Sequence, residues 1–432
     1  MLAAEKMIIM HEGSNITSPK EKAKTKRWLN RNVAAMGFTS LFSDASHEMV
    51  TAVLPFFLAV IGAGPEALGL IEGFSDGASS LVKSFSGYLS DKIGKRKPIM
   101  SIGYALTGIF TPVIAAATSW LQVLGLRATA WMGRGARGPP RDALLADSVP
   151  PEATGKAFGF HRAMDTLGAI IGPALALFFI TFLNYHQIIA ISVIPGLIAF
   201  FIVVFFVREA QKKPLSDTPI VSTHGDVVVN NRGFIKSIRT LPRSFKLFLV
   251  GVGVFGLGNF ANSLFTLRAQ QVLAPRVGVF ESSAIAIGLY TLLNVAYAAS
   301  SFPIGALSDK IGRKRILAAG YFISAITCLG TAFLTADFLV LVPIFILAGF
   351  FTAITDTIEG TAAADLLPTE SRGTGFGVLQ TINGIGDFAS SAVVGALWAL
   401  ISPRVAFAYA TILSVFGGLI LLYLTRGNHP LR

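Results

Sequence analysis

A segment of eight residues occurs twice in this chain, and the two copies lie half a chain apart. Residues 87–94 read GYLSDKIG and residues 305–312 read GALSDKIG, an offset of 218 positions in a chain of 432. At the same offset, residues 146–159 align with residues 364–377 without a gap. Separate stretches that repeat in one register predict a fold made of two copies of one structural unit.

The low charge content places this repeated unit in a membrane. Only 14% of the residues are charged and the mean hydropathy is +0.63, whereas soluble domains carry about 25% charged residues. A membrane-spanning helix needs about 20 apolar residues, and turn and charge patterns divide the chain into apolar runs of that length. The predicted spans are residues 34–61, 67–89, 98–118, 120–147, 156–183, 188–207, 246–271, 281–303, 316–336, 338–366, 373–400 and 405–425.

The spans predict an all-α membrane protein with twelve transmembrane helices in two pseudo-symmetric six-helix bundles. One long polar segment separates the sixth span from the seventh. The predicted units are a basic cytoplasmic tail (1–32), an N-terminal six-helix bundle (33–207), a cytoplasmic linker (208–245), a C-terminal six-helix bundle (246–425) and a cytoplasmic tail (426–432).

The net charge of +12 has two interpretations, nucleic-acid binding or the positive-inside rule of membrane proteins. Lysine and arginine crowd the tail before the first span and the segments after the second and eighth spans. We therefore expect a multi-pass protein of the cytoplasmic (inner) membrane, with both termini and both repeated loops cytoplasmic. Both loops on one side make the halves parallel repeats. The expected partners are the lipid bilayer and a small-molecule or ion substrate, without nucleic acid, and the protein is expected to be a monomer.

The two repeated loops resemble the signature of the major facilitator superfamily, G-x-L-a-D-(R/K)-x-G-(R/K)-(R/K), which lies between helices 2 and 3 and is echoed between helices 8 and 9. The resemblance covers residues 34–425 and implies a twelve-helix secondary transporter. Glycine permits tight turns and close helix approach, and aspartate accepts hydrogen bonds from a helix terminus or a basic side chain. Such contacts can latch the cytoplasmic side in one conformation; an anchor without a gating role is the alternative. The predicted gating residues are Gly87, Asp91, Gly94, Arg96, Gly305, Asp309, Gly312 and Arg313.

Charged side chains inside the predicted spans are the candidates for the functional site. Such residues are costly at bilayer depth and tend to face an internal cavity. On a helical wheel they share faces of the first, second, fourth and fifth spans. The predicted cavity residues are Asp44, His47, Glu48, Glu72, Asp76, Arg134, Arg137, Arg141, His161, Asp165, Asn262, Arg268, Asp356 and Asn383.

The two halves differ in the charge of these positions. At the repeat offset, Asp44, Asp76 and Asp165 correspond to asparagines at 262, 294 and 383. We therefore predict that coupling chemistry lies in the N-terminal half, where carboxylates and Arg134 form a network whose protonation is linked to cavity opening. A fixed lattice of salt bridges between helices is the alternative.

Two further motifs bear on coupling and direction. Arg134 and Gly138 resemble the family's R-x-x-x-G pattern, in which the arginine is often tied to proton linkage. The adjacent Pro139 and Pro140 should interrupt the helical hydrogen bonds there. Residues 168–177 partly resemble the antiporter motif G-x-x-x-G-P-x-x-G-G, with alanine and leucine in place of its closing glycines. This partial match favours export.

The predicted function is secondary active transport by alternating access, proton-coupled and directed towards export of a drug, a metabolite, a metal or a metal chelate. Uptake of an anionic metabolite or chelate is the alternative, and a non-transporting sensor or a membrane enzyme is the alternative of another class. The sequence lacks G-x-x-x-x-G-K-(S/T) and H-E-x-x-H motifs, so no enzyme activity and no catalytic residues are predicted. No cofactor is expected beyond a proton or ion gradient, and no residue is assigned to a metal.

Overall fold

The computed structural model describes residues 28–93, 95–150, 153–209, 241–368 and 372–426. These residues form α-helices and one short 3-10 turn, Ile114–Ala116. The helices are α1 (Arg31–Val60), α2 (Pro65–Ile93), α3 (Lys97–Val113), α4 (Trp120–Asp147), α5 (Thr154–Phe179), α6 (Tyr185–Ile191), α7 (Val193–Phe206), α8 (Arg243–Gly256), α9 (Ser263–Val277), α10 (Val279–Ile311), α11 (Arg313–Ala332), α12 (Phe338–Leu366), α13 (Arg372–Leu400) and α14 (Pro403–Arg426). The predicted tails and linker lie largely outside the described residues.

Helix length and composition match a membrane protein. Seven helical segments of the described chain are long and apolar enough to cross a bilayer. The other long helices carry the charged residues of the cavity described below. Large apolar side chains such as Phe178, Phe205, Phe302, Leu339 and Leu400 are exposed on the outside of the helices. Such a surface suits lipid.

The helices pack as two bundles. In the N-terminal half, α1 packs on α5 and α7, while α4 packs on α2 and α3. In the C-terminal half, α12 packs on α10 and α11, while α14 packs on α11 and α8. The halves meet where α2 contacts α13 and α5 contacts α10. The described residues thus form the predicted all-α arrangement of twelve crossings, with α6–α7 and α8–α9 each making one crossing.

Small residues bring α2 and α13 together at one end. A Cβ atom built on Gly395 would lie 2.6 Å from the carbonyl oxygen of Pro65 and 3.2 Å from the Cα of Gly69. One turn along, a Cβ on Gly73 would lie 2.7 Å from the carbonyl oxygen of Phe388. Backbones approach this closely only where side chains are absent. The halves are therefore tightly apposed at the end of α2 that lies opposite the repeated loop.

The seventh crossing is interrupted, contrary to the prediction of one helix over 246–271. The helix α8 ends at Gly256 and α9 begins at Ser263, with residues 257–262 between them non-helical. Backbone that leaves a helix at membrane depth needs new hydrogen-bond partners. Here Ser390 on α13 donates to the carbonyl of Asn259 at 2.6 Å, and the amide of Ala261 donates to the Ser391 hydroxyl at 3.1 Å. Serines of the neighbouring helix thus replace the missing helical bonds.

Removing these serines tests that role. Replacing Ser390 or Ser391 with alanine should lower the free energy of unfolding by about 1–3 kcal/mol each, because a buried backbone group loses its partner. Thermal unfolding of the purified variants measures the effect. The matched control is Ser75→Ala, since Ser75 is buried but bonds only to Ile71 of its own helix. Equal shifts for the control and test variants would contradict this account.

Pro139 and Pro140 each remove a backbone hydrogen-bond donor from the fourth span, as predicted, but the span remains one helix over the predicted residues 120–147. Both prolines lie inside the continuous helix α4. Pro139 cannot donate to the carbonyl of Gly135, four residues earlier, but the hydroxyl of Ser86 on α2 lies 3.4 Å from that carbonyl. A Cβ on Gly87 would lie 3.3 Å from the Pro139 ring. Packing on α2 therefore preserves the helix where local propensity would break it.

Candidate functional site

A polar cavity lies between the two bundles. It measures about 430 Å³ and is lined by α1, α2 and α4 from the N-terminal half and by residues 259–263, α10, α12 and α13 from the C-terminal half. Its charged lining residues are Glu48, Glu72, Asp76, Lys83, Arg127, Arg134, Asp356 and Asp387. We call this space the central chamber.

A second space adjoins it. This lower chamber measures about 470 Å³ and shares Ser80, Lys83, Asn259, Asp356 and Asp387, among others, with the central chamber. Its remaining lining includes Gly360 and Phe376, which lie nearer the loop that joins α12 to α13. The two chambers therefore form one polar path towards the side of the repeated loops. Their size is that of sites that hold small molecules.

The deepest ion pair of the central chamber joins α4 to α2. Arg127 is 0% exposed, and its Nη2 lies 2.7 and 2.9 Å from the two carboxylate oxygens of Glu72. The same Nη2 lies 3.2 Å from the Thr51 hydroxyl of α1, and the guanidinium carbon lies 4.0 Å from the Trp131 ring centroid. The buried Nη1 of Arg127 has no hydrogen-bond partner among the described residues. This donor is enclosed by protein, because Arg127 is 0% exposed.

A histidine flanked by carboxylates lies on α1. The Nδ1 of His47 lies 3.0 Å from the carbonyl of Ser43 and 3.4 Å from the Asp44 carboxylate, and its Nε2 lies 3.3 Å from Glu48. The other carboxylate oxygen of Glu48 accepts a hydrogen bond of 2.7 Å from Tyr290 on α10. A chain of ionisable groups on α1 therefore ends in a contact across the two halves.

A second contact between the halves involves α5. Arg162 donates to the Tyr297 hydroxyl at 2.7 Å and lies 4.0 Å from the Asp356 carboxylate. On its own helix it also lies 3.4 Å from Asp165, which accepts a hydrogen bond of 2.7 Å from Ser40. These contacts must break if α5 separates from α10 and α12.

Three charged groups of the chambers are not paired. Neither the guanidinium of Arg134 nor the ammonium of Lys83 makes a hydrogen bond or ion pair with any described residue; Arg134 lies 5.7 Å from the Trp131 ring centroid. The Asp387 carboxylate is also without such a contact in the described chain. Asp76, by contrast, accepts a hydrogen bond of 2.8 Å from the Trp131 indole.

The predicted site residues separate into two groups. Seven line the chambers, namely Glu48, Glu72, Asp76, Arg134, Asn262, Asp356 and Asn383. Asn383 donates to Glu359 at 2.6 Å in the lower chamber. The other seven, Asp44, His47, Arg137, Arg141, His161, Asp165 and Arg268, line neither chamber.

The residues that line neither chamber lie in or near contacts between helices. Arg137 donates to Ser43 and lies over the Tyr104 ring at 4.3 Å. Arg141 pairs with the adjacent Asp142 at 3.0 Å. His161 and Arg268 each have a buried nitrogen without a hydrogen-bond partner among the described residues. Helical-wheel angle groups residues on a face, but it does not say whether that face meets a cavity or another helix.

Several residues that complete the site are not among the predicted residues. Trp131, Tyr290 and Tyr297 carry no charge, so the search for charges in the spans could not find them. Trp131 had a weak signal, because it is spaced four residues from Arg127 and three from Arg134 on one helical face. Arg162 was visible as a charge in the fifth span but was left out of the predicted set.

The predicted gating loops show similar ion pairs in the two halves. Arg96 pairs with Asp147, and Arg313 lies 2.7 Å from Asp365 and 3.2 Å from Asp309. Asp147 and Asp365 occupy equivalent positions at the repeat offset of 218. Each pair therefore ties a repeated loop to the end of α4 or α12 within its own half.

Backbone conformation explains one glycine of these loops. Gly312 has a positive φ of 104°, which favours glycine between two consecutive helices. A Cβ on Gly305 would make an ordinary contact, 3.5 Å from Thr357 of α12, so packing does not require glycine there. The side chain of Asp91 and all of Gly94 lie outside the described residues, so their predicted latch role stays a prediction.

No group of three or more metal-ligating side chains is placed to hold a metal ion within the described residues.

Known proteins resemble this chain over nearly all of its helical part. The family model described as Major Facilitator Superfamily matches residues 36–289 and 273–432. The MFS-type transporter MJ1317 of Methanocaldococcus jannaschii is 36% identical over 403 residues, covering 92% of this chain and 96% of that protein. Multidrug resistance protein MdtG of Dickeya zeae is 24% identical over 335 residues, covering 76% of this chain and 78% of that protein.

A solved structure supports the same fold. The nucleoside transporter NupG superposes with a TM-score of 0.73 at 12% identity, covering 91% of this chain and 99% of that one. At this identity the likeness concerns the fold alone. The family match and the relative that is 36% identical show that this chain belongs to the major facilitator superfamily. The repeated loops, the polar cavity between two six-span bundles and the fold of NupG agree with this assignment. The protein is therefore a membrane transporter and not an enzyme.

Proposed function

We propose that the protein is a proton-coupled secondary transporter that exports a small hydrophilic solute by alternating access. The observation that carries this proposal is the charged cavity enclosed between two repeated bundles, since such repeats rock around a central site. Eight charged side chains line the central chamber. This lining suits a charged or polar solute better than an amphipathic drug, which prefers apolar and aromatic walls.

Two observations support the direction. The partial antiporter motif in α5 brings Gly168 and Gly172 against α1, where a Cβ on Gly172 would lie 2.7 Å from the Ala45 carbonyl. A relative of this chain is named a multidrug resistance protein. Uptake of an anionic metabolite is the second candidate, favoured by the unpaired Arg134 and Lys83. Flux measured in both directions decides between them.

We further propose that the protein is a monomer of the cytoplasmic membrane with both termini on the cytoplasmic side. The orientation is supported by the basic residues of the repeated loops and of the segment before α1, since such residues favour the cytoplasmic side. In that orientation the path through the lower chamber leads towards the cytoplasm.

Coupling is proposed to use the carboxylates of the N-terminal half. Glu48 contacts His47 on one side and accepts the Tyr290 hydrogen bond on the other. Uptake of a proton by this carboxylate would change both contacts, one of which joins the halves. A proton bound at α1 would thereby alter the stability of the closed arrangement.

The proposal is tested by flux in proteoliposomes with and without a pH gradient. The wild type should accumulate solute against its gradient only when protons flow the other way. Glu48→Gln should retain exchange down a solute gradient but lose about tenfold or more of the pH-driven accumulation, because a neutral amide cannot carry the proton. Asp76→Asn and Asp165→Asn belong in the same series.

The matched control is Glu281→Gln, because Glu281 is exposed in the first turn of α10 and lines neither chamber. Unchanged pH dependence in all three test variants would refute coupling through these carboxylates. Absence of flux for every solute of a broad panel would refute transport itself.

A further inference from the structure

The cations of the two chambers all come from one half. They are Lys83, Arg127, Arg134 and Arg162 of the N-terminal half, where Glu48, Glu72 and Asp76 lie beside them. The charged lining residues of the C-terminal half are all carboxylates, namely Asp356, Glu359 and Asp387. A solute held between the halves therefore meets cations on the N-terminal wall only, whereas carboxylates line both walls.

Ion pairs within the protein neutralise some of these charges and leave others without a partner. Glu72 neutralises Arg127 through two contacts, and Asp356 lies within ion-pair distance of Arg162. Arg134 and Lys83 are left on the N-terminal wall without a partner in the described chain.

The opposite wall keeps two carboxylates that form no ion pair within the described residues. Asp387 has no hydrogen bond or ion pair within the described residues. Glu359 is 9% exposed and is bonded only by the neutral amide of Asn383, at 2.6 Å. These two groups face a space that contains no protein cation of their own half.

We propose, on the basis of the transport function above, that the solute is a zwitterion of the amino-acid or short-peptide class. Its anionic group lies towards Arg134 and Lys83, and its ammonium group lies towards Asp387 and Glu359. The solute thus provides a counter-charge to the unpaired groups of both walls.

A solute with one kind of charge fits less well. An anion would pair with Arg134 and leave Asp387 without a partner, whereas a cation would do the reverse. An unpaired charge in a site closed to water is strongly unfavourable. A zwitterion avoids both penalties. The central chamber of about 430 Å³ also accommodates a solute of this size.

Binding of matched solutes to the full-length purified protein tests the proposal. The probes are L-alanyl-L-alanine, its N-acetyl derivative, which lacks the ammonium group, and its methyl ester, which lacks the carboxylate. A second set with a longer charge separation is 6-aminohexanoate, hexanoate and hexylamine. In at least one set the zwitterion should bind about tenfold or more tightly than both partners, measured by calorimetry and by the shift in unfolding temperature.

Two variants assign the ends of the solute. Asp387→Asn should abolish the preference for the zwitterion over the matched anion while keeping its preference over the matched cation. Arg134→Gln should abolish the preference for the zwitterion over the matched cation while keeping its preference over the matched anion. Asp387→Glu should recover the lost preference, which separates loss of charge from misfolding, and Glu281→Gln should behave as wild type.

The outcomes separate the two proposals. In wild type, equal binding of the zwitterion and a singly charged partner in both probe sets overturns the zwitterion proposal, as does binding of neither zwitterion. Transport of a plain anion or cation that is insensitive to Asp387→Asn overturns it as well, while leaving proton-coupled transport intact. Loss of proton-driven flux for every solute would instead overturn the proposed function.

Discussion

Replacing Glu72 with glutamine is expected to lower the free energy of unfolding by about 3–5 kcal/mol, the cost of breaking a buried ion pair by removing one partner. Arg127 would keep its charge, because a guanidinium does not lose its proton in a protein. It is 0% exposed, so water cannot replace the lost carboxylate. Thermal or denaturant-induced unfolding of the purified protein measures the change.

The reverse variant should be milder. Arg127→Met leaves Glu72 without its counter-ion, but a carboxylate can take up a proton and a guanidinium cannot release one. We therefore expect Arg127→Met to destabilise less than Glu72→Gln, and the double variant to be more stable than Glu72→Gln alone. Glu66→Gln is the control, since Glu66 is exposed on the same helix. Equal effects of Glu66→Gln and Glu72→Gln would show that the ion pair does not stabilise the protein.

Replacing Gly395 with valine is expected to hold α2 and α13 apart and to reduce flux about tenfold or more. The new side chain would collide with the Pro65 carbonyl, which lies 2.6 Å from the position of a Cβ atom. Overpacking typically costs about 1–3 kcal/mol, and every 1.4 kcal/mol shifts a population about tenfold. Only the conformation in which these helices touch bears this cost, so the opposite conformation gains population.

Labelling of a cysteine in the cavity measures that shift. The single natural cysteine, Cys328, is buried and can be replaced by serine. Asn262→Cys then reports on the central chamber, and it should become more accessible from the side on which Gly395 lies. Gly377→Val is the matched control, because a Cβ at Gly377 of the same helix meets nothing within 4 Å. Unchanged accessibility and flux in Gly395→Val would contradict a role for this contact in closure.

The fold was predictable because membrane burial leaves a strong signal. Hydropathy and the repeat at an offset of 218 predicted the helical class and the two-bundle arrangement. The interruption at residues 257–262 was missed, although glycines and asparagines cluster there, because the serines that stabilise it lie on α13. The span of α4 was predicted correctly as residues 120–147, but the contact of Ser86 on α2 with the carbonyl of Gly135 was not. Local sequence cannot show what a distant helix will provide.

The site was only partly predictable. Charges inside spans could be identified one by one, because their cost in lipid implies an internal cavity. Their partners could not, since Glu72 and Arg127 are 55 residues apart and Glu48 and Tyr290 are 242 apart. The distinction between paired and unpaired charges, on which the zwitterion proposal depends, exists only in three dimensions.

The interruption of the seventh crossing makes the two bundles mechanically unequal. At the equivalent position of the N-terminal half, around Asp44, the helix α1 runs unbroken from Arg31 to Val60. A continuous helix is a stiff rod, whereas a gap of non-helical residues gives its counterpart a joint beside the central chamber. The C-terminal bundle therefore has a point beside the central chamber at which it can bend, and the N-terminal bundle lacks one there. The seventh crossing can therefore bend at residues 257–262, whereas its counterpart α1 is one continuous helix.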